Sequence, residues 1–243
     1  MDRKRGTSNR RTHPSRSAPR YYVLTRLRQQ IETIAARHIA SRRAQVLIDF
    51  GCGDMPYRSI LERYVSEYVG VDTADNPRAD RHLSRDGAAP LADEYADVVL
   101  STQVLEHLSD VPAYLRECRR VLKPGGVMVL STHGNWVYHP HPSDLWRWTG
   151  DGLRHVIEAS GLQVLELEGV VGLAPTGVLL LQDALIRRLP RMLRGPFALL
   201  MQTLMIGLDK VHSPADRRRD ACVYVAVAVK RAGEGAVDVS EAA

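Results

Sequence analysis

Apolar positions along the chain follow two rhythms. From Tyr22 to Arg43, the residues Val23, Leu24, Leu27, Ile31, Ile34, Ala35 and Ile39 recur at helical spacing, which predicts an amphipathic helix. Val46 to Phe50 is a short apolar run ending in glycine, which predicts a buried strand and a tight turn. Arg58 to Val65 suits a helix, Tyr68 to Val71 a second strand ending at Asp72, and Glu94 to Thr102 a third strand. Ser109-Asp110 can cap a helix from Val111 to Leu122, which Pro124-Gly125-Gly126 stops before a strand at Val127–Ser131. Thr149, Gly152 and Leu153 open a helix that runs through Ala159, and Leu162–Leu167 is again strand-like. Strands alternating with helices predict a mainly parallel, doubly wound α/β sheet.

Past Thr176 the pattern changes. Up to His212 it predicts apolar helices broken at Pro190, Gly195-Pro196 and Gly207, and Ala221–Val229 is then a Val-rich run that reads as a late strand. Charge sharpens the picture at the start of the chain. Residues 1–20 carry seven basic side chains against Asp2 alone, a net +6, whereas the whole chain is +5, so the remainder sums to −1. The basicity belongs to a tail rather than to a binding face of the domain, and such a tail can touch nucleic acid or anionic lipid. The division expected is a disordered basic tail over 1–20, one folded domain over 21–231 and a second disordered tail over 232–243. Cys52, Cys118 and Cys222 lie far apart with no CxxC pair, which suggests neither a disulfide framework nor a zinc site. No apolar stretch follows the basic start, so the expected location is cytoplasmic.

The chemistry is concentrated at Val46-Leu47-Ile48-Asp49-Phe50-Gly51-Cys52-Gly53. Two glycines after a first strand let the backbone come close to a ligand, and the next helix offers free N–H groups. Alone, that suits any nucleoside cofactor. Asp72 adds to it, ending the second strand 21 residues after Gly51, where a carboxylate can accept ribose hydroxyl protons.

With these blocks, Tyr68-Val69-Gly70-Val71-Asp72, Pro90-Leu91 through Val99, Thr102-Gln103-Val104-Leu105-Glu106-His107-Leu108 and Arg120-Val121-Leu122-Lys123-Pro124-Gly125-Gly126, the chain resembles the class I S-adenosylmethionine (SAM)-dependent methyltransferases over residues 45–168. The resemblance implies a Rossmann-like, mainly parallel seven-stranded sheet with helices on both faces, the last strand antiparallel and a helical insert (residues 173–212) before it. It implies SAM as cofactor, with Gly51, Cys52 and Gly53 flanking the methionine part, Asp49 near its amino group, and Asp72 with Thr73 at the ribose. Asp86 and Gly87 would lie beside the adenine, and Thr102, Gln103 and Val104 under the sulfonium. The third glycine of the family's loop is missing, since Asp54-Met55-Pro56-Tyr57-Arg58 follows Gly53. A loop of this form resembles a bacterial subgroup linked to glycan or lipid-linked metabolism. The missing glycine counts against a nicotinamide dehydrogenase.

The acceptor side is expected in the loop after the fifth strand. His133 to Thr149 packs three histidines, two prolines and three tryptophans into 17 residues. His133, His139 and His141 are candidates for deprotonating or orienting an acceptor. Tyr57, Arg58, Asp144, Trp146 and Arg147 are candidate substrate contacts. Asp144 and Arg147, three apart, could equally pair with each other, and Trp146 with Trp148 could simply pack. No metal ligand set is expected: Glu106-His107 resembles one fragment of a metal site in some O-methyltransferases without the rest. The expected activity is methyl transfer to a small-molecule, glycan or lipid-linked acceptor, at oxygen rather than nitrogen or carbon. The alternatives are a non-catalytic SAM-fold binding protein, or an RNA methyltransferase using the basic tail; no Pro-Pro-aromatic block of the kind used on nucleic-acid amines follows the fourth strand, which disfavours a nucleic-acid partner. In 173–212, leucines interleave with Arg187, Arg188, Arg191 and Arg194, and the apolar run is shorter than the ~20 residues of a membrane span. Either a lid touching the inner membrane face or a pair of core or dimer helices fits that pattern.

Overall fold

The computed structural model describes residues 10–42, 46–140 and 142–232. Seven strands, β1 (Val46–Phe50), β2 (Glu67–Asp72), β3 (Arg81–His82), β4 (Ala96–Thr102), β5 (Leu122–His133), β6 (Gln163–Gly172) and β7 (Ala221–Val229), form one sheet in the order β3-β2-β1-β4-β5-β7-β6. β1, β2, β3, β4 and β5 are parallel, and β7 runs antiparallel to both of its neighbours. The order reverses between β1 and β4, and in such sheets ligands bind in the crevice outside the carboxyl ends of the strands at that point.

Two apolar layers follow from the strand period of two. On one face Leu47, Val98, Leu100, Val127, Val129, Val223, Val225 and Val227 meet α1 (Tyr21–Ile34), α2 (Arg58–Leu61) and the pair α5 (Leu173–Ile186) and α6 (Arg191–Asp209). On the other, Ile48, Phe50, Val69, Val71, Val99, Met128 and Leu130 meet α3 (Val111–Val121) and α4 (Gly150–Ala159). Burial on both sides explains why these strands read as continuous apolar runs. α7 (Pro214–Arg219) leads into β7 behind a Ser213–Asp216 capping box.

The differences from the sequence expectations have local causes. α1 ends at Ile34 and continues as a π turn over Ala35–Ile39, so that five-residue spacing returns Ile39 to the buried side occupied by Ile34. The Pro-Gly-Gly stretch does not precede a separate strand: β5 already begins at Leu122, and the Lys123–Gly126 excursion bulges out between the Leu122–Ala96 and Val127–Val98 pairings. α6 passes through Gly195, Pro196 and Gly207 without breaking, because Ala198, Gln202, Met205 and Asp209 form a buried stripe that outweighs the local cost. β3 has two residues, too few to leave a periodic signal.

Residues 10–20 of the basic stretch expected to be disordered are described; most are exposed, and a few anchor on the domain. Thr12 is buried, the Pro19 carbonyl accepts from Gln182 Nε2 (2.9 Å) and Gln202 Nε2 (3.1 Å), and Arg20 pairs with Asp183 on α5. Residues 1–9 and 233–243, the outer parts of the two expected tails, lie outside the described residues. Among the described residues, no helix is long and apolar enough to cross a membrane.

Candidate active site

The donor half of the site hangs on strand ends. Gly51 and Cys52 donate their N–H groups to the Val71 carbonyl (2.8 and 3.2 Å), which pins the loop after β1 to β2. Gly51 has φ +76°, and a Cβ there would come within 2.6 Å of Val104 Cγ2, so both the backbone and the neighbour require glycine. Val104 thereby presses against the loop, and Gln103 before it is held in the left-handed region (φ +57°) by its N–H to Ser131 O (2.8 Å) and its side chain to Ser131 Oγ (3.0 Å). Thr102 closes β4 beside them.

Met55 stands where the family's third glycine would. Its backbone is left-handed (φ +50°), a conformation that favours glycine, and its sulfur covers Gly70 of β2, where a Cβ would meet it at 2.7 Å.

Asp72 accepts from Gly53 N (2.9 Å), Thr73 N (2.8 Å) and Asn76 Nδ2 (2.7 Å), and Asn76 also binds the Gly53 carbonyl (2.9 Å). Asn76 is a member of the site that sequence reasoning missed, although Asn76-Pro77 is a turn signal just past a strand end. Asp49 is buried; its Oδ2 accepts from Tyr68 Oη (2.6 Å) and its Oδ1 has no hydrogen-bond partner among the described residues. Burial, with the charge of Asp72 adding to it and Tyr68 opposing, raises the Asp49 carboxyl to about 7. An unpartnered buried carboxylate oxygen is costly, and a ligand ammonium relieves that cost. These residues fit SAM: Asp49 for the amino group, the Gly51–Gly53 backbone for the methionine part, and Asp72 for the ribose. Asp86 and Gly87 sit on an exposed turn after β3, closed by Ser84 N to Ala88 O (2.9 Å), with Gly87 at φ +85° and Asp86 bonded by the Ser84 hydroxyl.

The acceptor half is held by contacts across the chain. Arg147 grips Asp144 through both oxygens (2.6 Å each) and donates to the carbonyls of Trp136 (3.1 Å), Val137 (2.7 Å) and Trp146 (2.8 Å). Arg147 holds the Asp144 carboxyl down at about 2. Asp144 Oδ2 also accepts from His139 N (2.7 Å). Asp144 and Arg147 were expected as substrate contacts; with these atoms engaged in the loop they act as its brace. Trp146 likewise donates to the Leu108 carbonyl (2.7 Å) and tilts against Trp148. Tyr57 is buried after the β1 loop, in the cluster that also holds the apolar residues of α1, and Arg58 lies over the Tyr68 ring with long ion pairs to Glu62 (3.7 Å) and Asp80 (3.9 Å).

Inside the braced loop, rings converge. His133 stacks on Trp136 (centroids 4.5 Å apart, planes 8°), and His139 meets His133 edge-on at 6.0 Å and His107 at 5.8 Å. Glu106, fully buried, accepts from Thr132 Oγ1 (2.8 Å), and its other oxygen lies 3.1 Å from His133 Nδ1 without hydrogen-bond alignment. Burial pushes the Glu106 carboxyl up and the His133 imidazole down to about 3, so both sit in their neutral forms more readily than in water. Glu106 in this role, and Arg20, whose guanidinium lies 4.9 Å from the Trp136 centroid, were not anticipated. His141 lies outside the described residues. Among the described residues no group of three His, Cys, Asp or Glu side chains could hold a metal ion.

Comparisons with known proteins bear on the family and the fold. A family model described as a methyltransferase domain matches residues 20–167. A ubiquinone biosynthesis O-methyltransferase of Cereibacter sphaeroides is 32% identical over 155 residues, covering 51% of this chain and 63% of that protein, so this chain spans less than two thirds of that relative's length. Among solved structures, the [4+2]-cyclase SpnF superposes with a TM-score of 0.56 at 18% identity, covering 85% of this chain and 82% of its own. The Haemonchus contortus phosphoethanolamine N-methyltransferase 2, bound to phosphomonomethylethanolamine and S-adenosylhomocysteine, gives 0.55 at 13% identity, covering 93% and 59%. At such identities these two structures speak for the fold alone. The family match extends over more than half the chain, from the helix before β1 into β6, and on that basis the protein belongs to the SAM-dependent methyltransferases, with S-adenosylmethionine as its cofactor.

Proposed function

We propose that the protein transfers the methyl group to a hydroxyl oxygen of an apolar small-molecule acceptor, with His139 receiving the hydroxyl proton. The observation that carries this reading is the placement of His139: its backbone is fixed by the braced Asp144, and its ring closes on His107 and on His133, the last residue of β5. Bound SAM supplies a sulfonium-activated methyl, so the chain itself needs no nucleophile. Its residues orient the acceptor and exclude water. A hydroxyl becomes strongly acidic as its oxygen bonds to carbon, so a neutral imidazole suffices as base. His133, buried and neutral between Glu106 and Trp136, is the wall that positions His139. The O-methyltransferase name of the Cereibacter relative supports the same acceptor atom, and the partly buried ring of Trp136, stacked on His133, supports an apolar one. A glycan-bearing lipid remains within this acceptor class.

The test is incubation with methyl-labelled SAM and lipid, glycan, small-molecule and RNA pools from a host extract. Label entering the lipid or small-molecule pool as a methyl ether is the expected result; label confined to RNA, attached to nitrogen, or found only as a methyl ester defeats the reading.

A further inference from the structure

The hairpin α5–α6 has two unlike sides. Thr176, Leu179 and Gln182 on α5, and Gln202, Met205 and Asp209 on α6, face inward. The outward side presents Leu180, Leu181, Leu185, Leu193, Leu200 and Leu204, each 39–61% exposed. Both acids of the hairpin also point inward: Asp183 is taken by Arg20, and Asp209 by Tyr22, Gly172 and Arg217. Around the turn at Pro190 stand Arg187, Arg188, Arg191 and Arg194, and among the described residues none of the four meets a carboxylate. Arg188 donates to the Ala184 carbonyl of α5, and Arg194 to the Leu189 and Arg187 carbonyls of the turn.

We propose that this face docks on an anionic lipid surface, with the leucines in the acyl boundary and the four arginines on lipid phosphates. A surface that is apolar along two helices and cationic at one end matches phosphates above hydrocarbon. Monomeric proteins rarely leave a contiguous apolar patch of more than a few hundred Å² in water. A second copy of the chain is the poorer occupant, because the hairpin offers no outward acid to meet the other copy's arginines, whereas lipid phosphates would. The hairpin lies along the surface, since no described helix can span it. Its inner side connects to the site: Gln182 and Gln202 hold Pro19, and Arg20 runs from Asp183 to Trp136. Docking therefore brings the acceptor loop to the edge of a bilayer, where an apolar acceptor is concentrated. The docking itself does not depend on which atom is methylated, and the two readings fail separately.

The experiment is co-sedimentation of the full chain with vesicles of equal parts phosphatidylglycerol and phosphatidylcholine, against phosphatidylcholine alone. Binding to the anionic vesicles is expected, weakened by salt. The double variant Leu200→Asp/Leu204→Asp, and separately Arg187→Gln/Arg188→Gln/Arg191→Gln/Arg194→Gln, should each lower it about tenfold or more while leaving SAM affinity unchanged as a control for folding. Three results would overturn the proposal: no preference for anionic vesicles; equal binding by the leucine double variant, which would assign the binding to the basic 1–20 stretch; or a dimer that the leucine variant dissociates, with no vesicle binding.

Discussion

The donor and acceptor halves of the site lie side by side on one sheet edge and are built on different principles. The donor half is made of backbone: glycines at positive φ, strand ends, and amides aimed at Asp72. The acceptor half is made of side chains that cross the chain to meet, Arg147 to Asp144, Glu106 toward His133, and Arg20 over Trp136. A backbone site tolerates few changes of residue type and serves one cofactor. A side-chain site can be rebuilt while the fold persists, and the presence of a cyclase among the structural neighbours illustrates how little the fold alone dictates.

Four measurements test that contrast. The largest effect is expected at Gly51→Ala, where the added Cβ meets Val104 and the left-handed backbone adds strain. A loss of about 2 kcal/mol in stability and roughly a hundredfold or more in SAM affinity is expected by calorimetry; near-normal affinity would show that the loop is not the rigid element described. Next, His139→Ala should lower kcat by about a hundredfold with SAM affinity unchanged, and added imidazole should restore part of the rate. Equal losses in kcat and SAM binding would merge the two halves into one. Third comes pH. The raised Asp49 value means that its ionised form, which holds an ammonium, grows through about 7, so SAM affinity should rise about tenfold from pH 6 to pH 8 and flatten in Asp49→Asn. In the cofactor-free protein the sign reverses: a carboxyl raised by folding contributes stability at low pH that is lost as pH rises from the usual carboxylate range through about 7. The smallest effect is expected for Met55→Gly. Relief of a left-handed methionine, about 1 kcal/mol, is set against lost packing on Gly70, and the melting temperature should move little. A large drop would make the side chain, rather than the turn, the reason for methionine.

The same contrast explains what could be read from residues in order. Asp49, Gly51, Gly53 and Asp72 announce themselves because strand, turn and acid must follow at fixed spacing. Met55 was visible as a departure, but its left-handed φ was not. The roles of Tyr68, Glu106 and Arg20 depend on partners 19, 26 to 27 and 116 to 163 residues away, and no local pattern marks such meetings. In Asp144–Arg147 both readings were open in the residues; the structure shows the pair formed, with Arg147 also bound to three loop carbonyls. The alternating strands fixed the architecture, yet the position of β7 followed from no pattern in its own Val-rich run.

That position governs the order in which the molecule can be assembled. β7 lies between β5 and β6, pairing with β5 from Val127–Val229 to His133–Val223 and with β6 from Gln163–Val229 to Gly172–Ala221. During synthesis β1, β2, β4 and β5 can join as they emerge, whereas β6 must wait beside an empty slot until Ala221–Val229 leaves the ribosome. The strand end that carries His133 is therefore left with an open hydrogen-bonding edge until then, and the nascent chain can possess its donor crevice well before it has a place to put an acceptor.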